Sequence, residues 1–360
     1  MKATQVSELL DWVPNLAAVT GLRISTQDKC NPNTCKQIVK KLGAAVADTG
    51  SSKKSKKSSG KKKNLSKLVL HGPKIYGSLM AECVRQETGA GLKYLQFSQV
   101  KQTNSTKLEG SVAAFFRTCS QLEELYMPQA LASASGLRAT LTSSLSAARA
   151  GSTTLLRVLD LSSGGGSFDE QRLQLRDIAD LGTVCPELEV LRLAAASGCP
   201  TGASTDFLLG PFLPNPMVSL PRLKEFSLGR IVENFTYRSA PNYASTETVN
   251  RLLTWLLVGM PNVQKFSFSH GTTHMTRKDE KTFSYPVFPG IGEIVWPTSL
   301  KHLKLRNLAL ESSAFENADL PSLESLKLSS CGTNMGSIID GLGRSHPDVE
   351  ATEDRSWSRW

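Results

Sequence analysis

An eleven-residue phrase recurs along this chain of 360 residues. It is written CPELEVLRLAA at 185–195, LPRLKEFSLGR at 220–230 and LPSLESLKLSS at 320–330. Its apolar positions follow the pattern L-x-x-L-x-L, and the second half of the pattern alternates apolar and polar residues. Such an alternation predicts a short β-strand with one buried face. A chain that repeats one strand in this way is constrained to an architecture of stacked units.

Ten copies of the pattern occur, with spacings between their first positions of 23 to 46 residues. A leucine-rich chain supplies one or two such matches by chance, so ten copies indicate a genuine repeat. Their apolar positions are Val19/Leu22/Ile24, Leu65/Leu68/Leu70, Leu92/Leu95/Phe97, Leu122/Leu125/Met127, Leu156/Leu159/Leu161, Leu188/Leu191/Leu193, Leu223/Phe226/Leu228, Val263/Phe266/Phe268, Leu300/Leu303/Leu305 and Leu323/Leu326/Leu328.

Upstream of many copies lies a segment with helical periodicity. In VSELLDWV, at 6–13, apolar residues recur at i, i+3, i+4 and i+7, which predicts one apolar helix face. Proline or asparagine commonly separates this segment from the strand, and proline ends a helix. Each unit is therefore predicted to be one helix and one strand, which bury their apolar surface against stacked neighbours. We expect one α/β solenoid over residues 1–346 and a cap or tail over residues 347–360.

These phrases resemble the leucine-rich repeat. The irregular unit lengths and long helices are similar to the ribonuclease-inhibitor-like subgroup and to the repeat region of F-box/leucine-rich-repeat receptors. The resemblance implies a solenoid of about ten units, with a curved parallel sheet on the concave face and helices on the convex face. The asparagine that usually follows the last strand leucine by three residues is mostly missing here, so we expect the turn geometry to vary between units.

The net positive charge of the chain comes from one segment. The net charge is +10, but residues 36–74 hold twelve lysines and one acid, Asp48, so the rest of the chain carries −1. Within this segment, 49–63 is rich in serine, glycine and lysine and is predicted to be a disordered insertion. It could contact an importin, nucleic acid nonspecifically or a membrane surface, or it could have no partner. Its lysines are Lys53, Lys54, Lys56, Lys57, Lys61, Lys62 and Lys63.

Seven cysteines are scattered along the chain, an odd number that does not suit a disulfide framework. They predict reduced thiols and a cytoplasmic or nuclear protein. The longest apolar stretches are shorter than the roughly 18 residues that a membrane-spanning helix needs, so we expect no membrane span. The N-terminal residues lack the apolar region of a secretory signal.

The polar residues that flank the middle leucine of each phrase are predicted to line the concave face, where a partner could bind. Tyr94 and Tyr126 in adjacent units, with Glu124 and Asp160 nearby, form a predicted aromatic and acidic patch. The later units are basic. The alternative is that these residues are only solvated positions on a sheet. The predicted partner-binding residues are Tyr94, Gln96, Glu124, Tyr126, Asp160, Arg192, Glu225, Lys265, His302, Lys304, Arg306 and Lys327.

Motifs for catalysis are sparse. His270 and His274 are four residues apart, but the intervening Gly-Thr-Thr favours a loop and no third metal ligand is nearby. The glycine-rich segment 162–167 lacks the phosphate-binding patterns, and nucleophile motifs such as G-x-S-x-G do not occur. The long loop 269–299 is predicted to pack over one rim of the solenoid. We therefore expect no enzyme activity, no metal and no cofactor.

Three functions follow as hypotheses. The leading one is a non-enzymatic interaction module that binds a protein partner on its concave face. The second, implied by the resemblance, is the substrate-recognition subunit of an F-box-type ubiquitin ligase. The first predicted helix begins near residue 6, which leaves no room for an F-box in this chain. The third is a subunit of an RNA-containing assembly that is anchored by the lysine-rich segment.

Overall fold

The structure of the protein is a computed structural model, and it describes the part of the chain that carries the repeated phrases. The described residues are 21–25, 33, 36–37, 39–40, 65–71, 77–98, 106–127, 154–162, 173–197, 219–234, 242–243, 246–269, 287–288, 294–315, 317–329, 331 and 335–353. The chain divides into two compact units, unit 1 over Met1–Gln171 and unit 2 over Arg172–Trp360. The prediction of a single solenoid stays a prediction.

The described part of unit 1 contains five parallel strands that follow one another in chain order. Each strand pairs with the next one along the chain. The strands are β1 Gly21–Ser25, β2 Lys67–His71, β3 Tyr94–Ser98, β4 Glu124–Tyr126 and β5 Val158–Leu161. Among the described residues between these strands are the helices α1 Gly77–Arg85 and α2 Thr106–Phe116, which contact each other.

Unit 2 contains six parallel strands in chain order, with further short strands beside them. The six are β7 Val190–Ser197, β8 Glu225–Asn234, β10 Lys265–Ser269, β12 His302–Arg306, β14 Ser325–Ser329 and β15 Glu350–Glu353. The short strands are β6 Leu173–Gln174, β9 Asn242–Tyr243, β11 Val287–Phe288 and β13 Ala309–Leu310. The helices are α3 Leu175–Val184, α4 Thr246–Val258 and α5 Met335–Ser345.

The register aligns the repeated leucines into rows. In unit 1, Leu68, Leu95, Leu125 and Leu159 are partners on successive strands, and each is at most 1% exposed. The corresponding buried row in unit 2 is Leu191, Phe226, Phe266, Leu303 and Leu326. Because side chains alternate between the two faces of a strand, a slip of one residue would expose the whole row. All ten phrases end in a strand, so the predicted α/β class with parallel strands is confirmed.

The same backbone hydrogen bonds recur at the start of successive strands. The carbonyl oxygen of Ser66, just before β2, accepts from the amides of Lys93 and Tyr94, and the carbonyl of Lys93 accepts from Glu123 and Glu124. In unit 2, the carbonyls of residues 189, 224, 264 and 301 accept two such bonds each. Since these bonds join the residue before one strand to the start of the next, they set the register of the sheet.

Aromatic side chains extend the core behind the strands. The ring centroids of Phe97 on β3 and Phe116 on α2 are 6.3 Å apart, so this helix packs against the strands of unit 1. In unit 2, Phe266 packs against Phe226 at 5.5 Å and against Trp296 at 5.9 Å. Trp296 belongs to the loop predicted over 269–299, and its side chain is buried in the core of unit 2.

The remaining described segments add three observations. Glu350–Glu353, within the predicted cap or tail, forms β15 and pairs with β14. Among the residues that the structure describes, no helix is both long and apolar enough to span a membrane. Four of the seven cysteines are described, and all four are buried free thiols: Cys83, Cys119, Cys185 and Cys331.

Candidate functional site

The candidate site is the strand face of unit 1 that lies opposite the buried leucines. The register places Lys67, Tyr94 and Glu124 side by side on β2, β3 and β4. The next row across the same strands contains Gln96 and Tyr126 and reaches Asp160 on β5. The structure therefore brings together five of the predicted partner-binding residues, Tyr94, Gln96, Glu124, Tyr126 and Asp160.

The two tyrosines form a contact between neighbouring strands. Their ring centroids are 5.1 Å apart and their planes are inclined by 33°. The Tyr94 hydroxyl donates a hydrogen bond to Oε1 of Gln96 at 2.8 Å, and the Tyr126 hydroxyl donates to Oε2 of Glu124 at 2.9 Å. Both side chains are half-buried. Each ring is therefore held by a neighbouring ring and by its own strand, while part of its surface faces solvent.

A positive charge and two negative charges surround Tyr94. The ammonium group of Lys67 lies 4.0 Å from the centre of the Tyr94 ring, a distance at which a cation is attracted to the ring face. Partial burial raises the pKa of the Tyr94 hydroxyl, and the negative charges of Glu124 and Asp160 raise it further. Both effects disfavour the tyrosinate form. Tyr94 is thus a neutral hydrogen-bonding group at neutral pH.

Asp160 is oriented by the end of its own strand. One of its carboxylate oxygens accepts hydrogen bonds from the amide of Ser162 at 2.9 Å and from the hydroxyl of Ser162 at 2.5 Å. Short side chains commonly bond to the backbone two residues on in this way. The acidic side of the patch is consequently built from a carboxylate of fixed direction on β5 and from Glu124 on β4.

A pocket of about 580 Å³ lies on the same face, at the side of β1 and β2. Its polar lining consists of Arg23, Lys67, His71 and Gln96, and Gly21, Leu22 and Val69 also line it. Arg23, His71 and Gly21 are not among the partner-binding residues predicted from the sequence. The sequence pattern could have identified them, because they occupy the outward positions of the first two phrases, next to Leu22 and Leu70.

The strand face of unit 2 has a different chemistry. Arg192 on β7 and Glu225 on β8 form an ion pair, with both Nε and Nη2 of the guanidinium 2.7 Å from Oε1 of the carboxylate. These two predicted partner-binding residues therefore neutralise each other. On β12, Nδ1 of His302 lies 2.9 Å from the hydroxyl of Ser325 on β14. Four polar side chains of this face are thus already engaged within the sheet, in two pairs.

The predicted basic residues of the later units do come together. Lys265 and His302 are register partners on β10 and β12, and Lys304 and Lys327 are register partners on β12 and β14. Arg306 lies at the end of β12 and is half-buried. The structure therefore brings the basic residues together on unit 2, whereas the tyrosine patch belongs to unit 1.

Ion pairs lie next to both faces, between residues that directly precede neighbouring strands. Lys93 and Glu123 are 2.6 Å apart in unit 1, and in unit 2 Lys224 pairs with Glu189 at 3.0 Å. Since the lysines are largely exposed and the glutamates partly exposed, each pair contributes little to stability, roughly 0–1 kcal/mol. Their repetition matters more for the surface, because charges of opposite sign compensate along the rim of each sheet.

Other predicted features lie outside the described residues or show no site. All seven lysines of the segment 49–63 lie outside them, as do His270 and His274. Within the described ranges, no group of three or more histidine, cysteine or acidic residues could hold a metal ion.

Comparison with models of known protein families and with curated proteins gives no match to this chain. The function proposed below therefore depends on the geometry of the chain itself.

Proposed function

We propose that this chain is a leucine-rich-repeat solenoid that acts as a non-enzymatic protein-interaction module. A protein partner docks on the strand face of unit 1, and Tyr94 and Tyr126 are its anchors. The fold assignment is supported by the aligned leucine rows and by the recurring hydrogen bonds before each strand. Such a repeat displays the polar residues of successive strands on one continuous surface.

The observation that carries the proposal is the Tyr94–Tyr126 contact. Tyrosine is enriched at protein interfaces because its ring buries a large area while its hydroxyl bonds to polar groups. Both rings are already held before a partner arrives, through the 5.1 Å ring contact and the two hydroxyl bonds. A side chain that is held in place loses little conformational entropy on binding, which favours affinity.

Charges beside the tyrosines would orient the partner. Lys67 lies on one side of the pair, and Glu124 and Asp160 lie towards the other side. A partner surface with the opposite order of charges is attracted in one orientation and repelled in the reverse orientation. No observation on the described residues specifically favours the ubiquitin-ligase hypothesis or the RNA-assembly hypothesis.

The proposal is tested by affinity capture with the tagged chain and mass spectrometry, comparing the wild type with Tyr94→Ala/Tyr126→Ala. The matched control is Val258→Ala/Val295→Ala, which truncates two apolar side chains that are 50% and 58% exposed in unit 2. We expect the tyrosine variant to lose specific partners that the control retains. Binding of the purified partner is then measured, and loss of at least about tenfold in affinity is typical of an anchor residue. Equal retention of every partner by the two variants contradicts the proposal.

A further inference from the structure

The pocket beside β1 and β2 is lined by hydrogen-bond donors. Arg23 and Lys67 carry permanent positive charges, and the ring of His71 can donate through a nitrogen atom. The Tyr94 hydroxyl donates to Oε1 of Gln96 at 2.8 Å, which leaves the amide NH₂ group of Gln96 as the donor on this side chain. Among the described residues that line the pocket, none is acidic. A ligand that fits this lining has to accept hydrogen bonds and carry negative charge.

The charges of the lining favour a phosphate monoester over a carboxylate. A phosphate on a serine or threonine side chain carries about −1.5 to −2 at neutral pH and presents three acceptor oxygens. Arg23 and Lys67 together carry two positive charges, which matches a dianion, whereas a carboxylate carries only one negative charge. The guanidinium group also binds phosphate with two parallel hydrogen bonds. The volume of about 580 Å³ leaves room for the phosphorylated side chain and part of its backbone.

The location of the pocket connects it to the proposed docking surface. Lys67 lines the pocket and also lies 4.0 Å from the ring of Tyr94, so the pocket and the tyrosine pair share one residue. A protein anchored on Tyr94 and Tyr126 would therefore have neighbouring residues at the mouth of the pocket. A long polyanion such as RNA that ran from the pocket across β3 to β5 would bring its next phosphates to the carboxylates of Glu124 and Asp160.

We propose that this pocket binds a phosphorylated serine or threonine of the protein partner, an inference that rests on the proposed docking function. The partner would then bind in a manner controlled by its phosphorylation. Arg23 and Lys67 hold the phosphate, His71 and Gln96 donate further hydrogen bonds, and the absence of a side chain at Gly21 keeps the pocket open. Among the described residues, a Cβ at Gly21 would have only Cβ of Lys67 within 4 Å, at 3.8 Å, and a larger side chain there would extend into the pocket.

The test uses three synthetic pentapeptides, Gly-Gly-X-Gly-Gly with blocked ends, in which X is phosphoserine, serine or glutamate. Their binding to the full chain is measured by NMR titration or calorimetry. We expect phosphoserine to bind at least about tenfold more tightly than serine, since charge-assisted bonds are about twice as strong as neutral ones. We expect the same margin over glutamate, because the phosphate carries more negative charge and one more acceptor oxygen than a carboxylate. Gly21→Phe fills the pocket, and Arg23→Gln removes a charge; each should weaken phosphopeptide binding at least about fivefold.

Two matched controls accompany these variants. Gly110→Phe places the same side chain at an exposed glycine of α2, where a Cβ would have no heavy atom within 4 Å, and Arg117→Gln removes an exposed charge after that helix. Both controls should bind the phosphopeptide within about twofold of the wild type, as expected for surface positions that do not contact the ligand. Thermal unfolding verifies that all four variants fold. Should Gly21→Phe fail to fold, Arg23→Gln still tests the inference.

The outcomes are separable. The inference is overturned if the phosphopeptide does not bind. It is also overturned if the phosphopeptide binds equally to the wild type, Gly21→Phe and Arg23→Gln. Equal affinity for the glutamate peptide overturns the assignment to phosphate. If an oligouridylate binds more tightly than the phosphopeptide, and Gly21→Phe and Arg23→Gln both lose that binding, the pocket is assigned to nucleic acid instead. If partner capture depends on the tyrosines but the phosphopeptide does not bind, only this inference is overturned. If the phosphopeptide binds but partner capture does not depend on the tyrosines, the tyrosine docking is overturned and the phosphate site stands.

Discussion

The rings of Tyr94 and Tyr126 lie 5.1 Å apart on adjacent strands, although 32 positions separate the two residues in the chain. Aromatic pairs at this distance contribute about 0.5–1.5 kcal/mol beyond the area that they bury. We expect a double-mutant cycle with Tyr94→Ala and Tyr126→Ala to give a coupling energy in that range, measured by urea unfolding. Tyr126→Phe keeps the ring and should keep most of the coupling. Additive effects of the two alanine substitutions would contradict a stabilising ring contact.

The buried leucine row predicts a large loss of stability on truncation. Leu95 is 0% exposed, and Leu95→Ala removes three carbons from a close-packed interior. We expect the free energy of unfolding to fall by about 2–5 kcal/mol. Gln121→Ala, at an exposed position of the same unit, should change it by no more than about 0.5 kcal/mol. Comparable effects of the two substitutions in urea unfolding would show that the leucine row is not the core.

Gly229 on β8 lies close to the backbone of β7. A Cβ at this position would overlap the carbonyl oxygen of Ala194 and lie 2.8 Å from its carbonyl carbon, and backbone atoms move away only at a cost. We expect Gly229→Ala to destabilise the fold by about 1–3 kcal/mol, as overpacking does. The control is Gly343→Ala in α5, where a Cβ would have no neighbouring atom within 4 Å. Since alanine favours helices, that change should stabilise by up to about 1 kcal/mol.

Buried thiols predict a loss of stability at alkaline pH. Burial raises the pKa of Cys83 and Cys119 from about 9 to about 12. Between these values the unfolded chain releases both protons while the folded chain keeps them, so the unfolded state is favoured as the pH rises. We expect the free energy of unfolding to fall by up to about 1.4 kcal/mol per pH unit for each thiol in this window. Cys83→Ala/Cys119→Ala should have a shallower pH dependence.

An independent measurement of the same thiols is alkylation by iodoacetamide near pH 8. The buried, protonated thiols should react slowly in the folded protein and quickly in urea, because only the thiolate is nucleophilic. Rapid reaction of Cys83 and Cys119 without denaturant would contradict their burial.

The ion pair of Arg192 and Glu225 predicts a small coupling that depends on salt. The two side chains are 34% and 29% exposed, so water and ions screen the attraction. A double-mutant cycle with Arg192→Ala and Glu225→Ala should give about 0.2–1 kcal/mol at low salt and less at high salt. A coupling that is zero at low salt would mean that the pair has no role in holding β7 against β8.

Much of the fold could be predicted from the sequence because its signals are local. The alternation in each phrase identified the strands and their buried positions, such as Leu70, Leu193 and Leu328. Helical periodicity identified the segments around α2 to α5. The strand β15 was harder to predict. Its sequence, EATE, has no leucine, and it forms because its backbone bonds to β14. The residues themselves predicted only a cap or tail over 347–360, because this bonding depends on the neighbouring strand.

The candidate site could be predicted only in part. Tyr94 and Tyr126 were identified because they alternate with buried leucines, and their contact follows from the register of β3 and β4. The pocket was not predicted, since its open space comes from an absent side chain at Gly21 and from residues of three strands. Likewise, the sequence indicated Arg192 as a partner-binding residue without indicating that Glu225 already neutralises it.

The sequence by itself determined which residues lie on the buried and exposed faces of each strand. Successive side chains alternate between the two faces of a strand, so the order of apolar and polar residues gives the assignment directly. The tertiary structure alone decided which exposed residues meet. Units of 23 to 46 residues differ too much in length for their spacing to align side chains. The alignment is made by backbone hydrogen bonds between successive strands, and these bring Lys67 to Tyr94, Tyr94 to Tyr126 and Arg192 to Glu225.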